Sequence, residues 1–244
     1  MPPAPDALRL PQAVLRPVRS HHAFEACVEQ LATAIRLGVY RQGSTLPSER
    51  ELAERLGVSR ATLREAIAAL RAAQLVETTR GRGGGTVVRK RPVRRKSAAR
   101  AAIRGRHEDL LDSLSFRSIV EPGAAGLAAD RDLDSGTRSM LEETLAAVAE
   151  APAGPDHRQC DSRLHLAIAA ASGSSRTMAA VTQVQAELDE MLQAIPVLPV
   201  NIAHSTTQHK AIVRAILAGD ARKATRVMAE HCEDTAALLR GLLG

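Results

Sequence analysis

At 244 residues the chain exceeds a typical single domain of about 100–200 residues and can bury a sizeable core. Its net charge of +6 hides a split: residues 1–106 carry 21 Lys and Arg against 8 Asp and Glu, and residues 107–244 carry 12 against 19, so the front half suits a polyanion partner. Three cysteines (Cys27, Cys160, Cys232) without C-x-x-C spacing exclude a disulfide framework or zinc ribbon, and no apolar run approaches the ~18 residues that span a bilayer.

The proline-rich start, MPPAPDALRLPQ, lacks a signal-peptide core, so residues 1–22 are expected to be a flexible tail and the cytoplasm the compartment. Phe24, Cys27, Val28, Leu31, Ile35 and Leu37 then repeat at helical spacing up to Gly38. Ser48 and Glu51 form an S-x-x-E capping box that starts a short second helix near Glu49. Leu52 and Leu56 share its buried side, and Gly57 can adopt the left-handed conformation that ends it. Ser59 caps a third helix, on which Leu63, Ile67 and Leu70 make an apolar stripe.

At about 100° per residue, Arg60, Arg64 and Arg71 fall on a strip turned away from most of that stripe. A short helix with Arg near its N-terminus suits the major groove, where a guanidinium can grip guanine O6 and N7 with two hydrogen bonds. Arg60 and Arg64 are the expected base readers, with Ser59 and Thr62 beside them and Arg50 adding a contact from the preceding helix. The plainer alternative is a solvated face of intrahelical pairs such as Arg60 with Glu65.

Leu75–Thr79 and Thr86–Val88 are short β-prone runs around Arg80-Gly81-Arg82-Gly83-Gly84-Gly85, read as a hairpin wing. Glycines let Gly83 and Gly84 approach a sugar-phosphate backbone, and Arg80 and Arg82 supply charge. No G-K-[ST] follows, which argues against a nucleotide loop. The winged helix-turn-helix is thus placed at 23–90, followed by a basic linker at 91–104.

Residues 105–244 show only helical periodicity, with breaks at Asp130–Asp134, Ala153-Gly154-Pro155, Ser172–Ser175, Pro196–Pro199 and Gly219-Asp220, predicting about six helices. Pro122 should kink one of them or mark its start. Asp161 and His165 share a face at i,i+4, a half-site for a metal. His209 lies ten residues before the Gly219 turn and His231 eleven after Asp220, so at ~1.5 Å per residue antiparallel packing would level them. Such an N3O set suits zinc first, with nickel, iron, cobalt and manganese as alternatives, and packing histidines are the competing account. His21, His22, His107, His157 and His204 are expected in exposed or linker positions.

These motifs together resemble the GntR-type transcription regulators, in the FadR subgroup whose C-terminal ligand-binding domain is called FCD. The likeness rests on Leu46-Pro47-Ser48-Glu49-Arg50-Glu51-Leu52-Ala53, Gly57-Val58-Ser59-Arg60, Leu63-Arg64-Glu65-Ala66, Arg117 with Glu121-Pro122, and Asp161-Ser162-Arg163-Leu164-His165. The resemblance implies a mainly α fold, with an N-terminal winged helix-turn-helix and an all-α helical bundle behind it. It implies that Arg50, Arg60 and Arg64 contact operator bases, that wing residues near Gly83 approach the minor groove, and that Asp161, His165, His209 and His231 bind a divalent metal. Arg117 would pair with the carboxylate of a small effector, against the alternative of a salt bridge to Glu121. The expected protein is a homodimeric repressor on palindromic double-stranded DNA, not an enzyme. Its rivals are a metal-dependent enzyme acting on small organic acids and an architectural DNA-binding dimer without an effector.

Overall fold

The computed structural model describes residues 23–79, 85–89 and 106–243, together with Leu10 and Leu15. These fall into two compact units, one on each side of the stretch expected to be a linker. Leu10 and Leu15, inside the stretch read as a tail, are buried. Arg80, Arg82, Gly83, Gly84 and residues 91–104 lie outside the described residues.

In the first unit α1 (Ala23–Arg36), α2 (Glu49–Leu56) and α3 (Arg60–Ala72) pack around Leu31, Leu52, Leu56, Leu63 and Leu70. Phe24, expected on the inner face of α1, is instead 36% exposed, because the stripe that meets α3 begins at Cys27. Ser48 accepts a hydrogen bond from the Glu51 backbone, but only half of the expected capping box forms, since the Glu51 carboxylate takes Arg55 as its partner at 2.6 Å. Gly57 ends α2 at φ 67°, and Ser59 accepts from the Thr62 N–H to start α3. The end of α3 was not legible: Gln74 takes φ 59°, and the Leu75 N–H turns back to the Leu70 carbonyl.

Strands β1 (Val76–Thr78) and β2 (Thr86–Val88) pair antiparallel, with Val76 opposite Val88 and Thr78 opposite Thr86. The other edge of β2 is also used, through Leu46 N–H to the Thr86 carbonyl at 2.7 Å and Val88 N–H to the Ser44 carbonyl at 3.0 Å. A side chain at Gly85 would run into Thr45, so the wing base needs glycine to close on this segment.

The second unit contains α4 (His107–Ala129), α5 (Ser135–Glu150), α6 (Pro155–Ala171), α7 (Ser175–Ala194), α8 (Pro199–Leu217) and α9 (Ala221–Leu243). Asp134, Ser174 and Asp220 accept from backbone N–H groups at three of the helix starts, and Pro155 and Pro199 open two others. Helix α4 packs against α6, α7, α8 and α9. Gly126 lets α9 approach closely, since a Cβ there would meet Thr225. Pro122 neither starts α4 nor ends it: the helix continues through it, and Ser118 loses only the usual helical donor to its carbonyl. Among the described residues no helix is long and apolar enough to cross a membrane.

Candidate functional site

Two places in the chain gather polar groups that folding alone does not require. The first is the outward side of α2 and α3. Arg60, Arg64 and Arg71 are exposed there, opposite the buried Leu63, Ile67 and Leu70. Arg60 and Glu65 form no ion pair, but an exposed i,i+4 pair of the plainer kind does form between Arg50 and Glu54 at 3.0 Å. Arg64 departs from that pattern, its Nε reaching Glu49 Oε2 on the neighbouring helix at 2.8 Å. Exposed pairs of this kind contribute about 0–1 kcal/mol, so both guanidinium groups can be transferred to a phosphate or a base edge at little cost. Ser59 and Thr62 are joined by hydroxyls 2.9 Å apart at the N-terminus of α3, where backbone donors favour an anion.

The second place is buried. His165 on α6, His209 on α8 and His231 on α9 bring one ring nitrogen each within 4.8 Å of one another. The rings of His209 and His231 have centroids 4.6 Å apart, at the common height expected from their distances to the Gly219 turn. Asp161, one turn before His165, flanks two of the rings, with its carboxylate 3.6 Å from His209 Nε2 and 4.0 Å from His165 Nε2. Both nitrogens of His165 and of His209 are buried without a well-directed hydrogen bond. Burial pushes the His209 imidazole down to about 4, against the pull of Asp161, and burial together with His209 and His165 takes His231 well below its ordinary value. The lone pairs of these two rings are therefore free at neutral pH.

Beneath the rings lies Glu121. Its carboxylate sits 3.2 Å from Arg117 Nε and 2.8 Å from His165 Nδ1, and accepts from Gln185 Nε2 at 2.6 Å. Burial alone would raise its pKa, but Arg117 and His165 outweigh this and hold the carboxyl below the usual carboxylate range. Arg117 therefore does two things that looked exclusive in the sequence. It pairs with Glu121, and it also lines a cavity of about 80 Å³ shared with Asp161 and His231, while its Nη1 remains without a partner. Apolar walls come from Leu188, Leu192 and Ile195.

Three participants escaped the sequence reading. Gln185 is a fully buried amide on the Val181, Val184, Leu188 face of α7, and that misplaced polarity was its one signal. Gln208 accepts from His231 Nδ1 at 3.1 Å, and its amide donates to Asp234 at 2.7 Å. His157, expected to be exposed or in a linker, is 6% exposed and lines the same cavity, because it sits one turn before Asp161 on the inner face of α6. His204 is exposed as expected and pairs with Asp234 at 3.0 Å. His21 and His22 and the side chain of His107 lie outside the described residues.

Comparison with known proteins gives these two places a context. Residues 24–88 match the bacterial regulatory proteins of the gntR family, and residues 112–234 match the FCD domain. The chain is 31% identical over 214 residues to the putative HTH-type transcriptional regulator RmpR of Mycobacterium gastri, covering 85% of this chain and 76% of that one. It is 34% identical to the putative L-lactate dehydrogenase operon regulatory protein of Escherichia coli, covering 78% and 75%. Among solved structures, E. coli McbR/YncC aligns over 91% of this chain and 99% of its own, with a TM-score of 0.54 at 18% identity, a likeness of fold.

Proposed function

Because the chain belongs to the GntR family of DNA-binding transcriptional regulators and carries an FCD domain, we propose that its DNA affinity is set by a small carboxylate bound beside a divalent metal in the helical unit. The observation that carries this is the convergence of ring nitrogens of His165, His209 and His231 within 4.8 Å, with His165 Nε2 and both nitrogens of His209 buried without a hydrogen bond, next to a cavity lined by His231, Asp161 and Arg117. Buried polar groups without partners are costly, at about 1–3 kcal/mol each, and a cation removes that cost at several of them together.

The donor set fits the group: three imidazoles and one carboxylate match the N/O preference of zinc, with nickel, iron, cobalt or manganese also served. His165, His209, His231 and Asp161 would hold the ion, which when bound supplies a Lewis-acid contact for an oxygen of the acid. The chain's own part is to orient that acid. Arg117, fixed by Glu121, offers a planar guanidinium to its carboxylate, and the leucine walls exclude water.

At the DNA-binding unit, Arg60 and Arg64 read bases in the major groove, with Arg50, Ser59 and Thr62 alongside, and the wing bearing Arg82, Gly83 and Gly84 lies against the backbone. Two copies on a palindromic operator act as a repressor that the acid releases. Metal content of the purified protein tests the sensing half: about one divalent ion per chain is expected, falling to a small fraction in His209→Ala. Metal-free protein that takes up no zinc on titration contradicts the reading.

A further inference from the structure

His157 lines the cavity without a role in the ligand set above and is 6% exposed, and its Nε2 is a buried nitrogen without a hydrogen-bond partner. Among the described residues lining that cavity, Arg117 and His157 carry buried nitrogens in this condition. His157 stands one helical turn from Asp161 and two from His165 on the same face of α6, outside the group of three histidines whose nitrogens converge. The cavity of about 80 Å³ holds roughly five to eight water-sized positions, which is the size of a short organic acid and too small for a nucleotide or sugar.

A carboxylate held by Arg117 alone would leave His157 Nε2 unsatisfied. An acid with only a hydrocarbon tail would bury that nitrogen permanently without a partner, whereas an acid bearing a second oxygen would complete it. Sites built to hydrogen-bond a ligand oxygen reject the analogue lacking it more strongly than apolar pockets reject an extra group.

We propose that His157 determines ligand specificity by hydrogen-bonding a second oxygen function, a hydroxyl or oxo group near the carboxylate held by Arg117, so that the cavity selects short oxygenated acids over plain aliphatic ones. The inference rests on the acid-sensing reading above and adds the ligand's chemical class to it.

Calorimetric titration of zinc-loaded, full-length protein with matched pairs (glycolate and acetate, lactate and propionate, 2-hydroxybutyrate and butyrate) tests this. The wild type is expected to prefer the hydroxy acid of at least one pair. His157→Phe should reduce that preference about tenfold, the equivalent of one lost hydrogen bond. His157→Gln, which keeps a hydrogen-bonding group, should retain most of it, and His157→Leu is measured in parallel in case the larger ring does not fold. Zinc content should remain that of the wild type in every variant. An unchanged preference in both apolar variants overturns the role of His157 alone, and loss of zinc would make it a metal ligand instead. If none of the six acids binds zinc-loaded wild type, the acid-sensing reading fails and this inference with it.

Discussion

Gln208 links the buried histidines to the surface. With its amide nitrogen committed to Asp234, its oxygen faces His231 Nδ1, which must then carry the proton and leave Nε2 with the free lone pair. Outer partners of this kind orient a metal-ligating ring and are typically worth 10–100-fold in metal affinity. Gln208→Ala should therefore weaken zinc binding by about that factor in a chelator competition while the far-UV circular dichroism is unchanged, and an unaltered zinc affinity would show that His231 needs no such support. The ligand candidates themselves were legible, because i,i+4 spacing and distance from a turn are properties of single helices and hairpins. Gln208, Gln185 and His157 were not, because a hydrogen bond or cavity shared between helices depends on packing that no local spacing encodes.

Helix α3 owes its place to Ser59 at one end and a left-handed Gln74 at the other, and its chemistry to the exposed guanidinium groups between them. The start could be read from Ser59 and the glycine before it. The end could not, because residue 74 adopts a glycine-like conformation without being glycine, and the pairing of Ser44 and Leu46 with β2 left no periodic signal over so few residues. Because the Arg64–Glu49 pair is exposed, Arg64→Ala should change stability by no more than about 1 kcal/mol while removing sequence discrimination. Urea unfolding and competition between operator and random duplex separate these two effects, and full discrimination by the variant would assign base reading elsewhere on the helix.

On the scale of the whole chain, the charge changes sign near residue 106, where the described residues of the second compact unit begin. Pro122 lies inside the first helix of that unit. A residue that ends an isolated helix is carried through α4, because contacts with α6, α7, α8 and α9 outweigh one missing hydrogen bond. Coupling between the two units requires that the acid bind one arrangement of the protein more tightly than another, and such coupling is typically ~1–3 kcal/mol, or about 5–150-fold in affinity.

The measurement that bears most directly on this is the affinity of zinc-loaded protein for duplex from upstream of its own gene and for a shuffled duplex, at several salt concentrations, with and without the hydroxy acid that binds best. The account predicts tighter binding to the upstream duplex, a steep fall of log K with log salt, and a shift of about 5–150-fold on adding the acid. Equal affinity for both duplexes, unmoved by the acid, would contradict it.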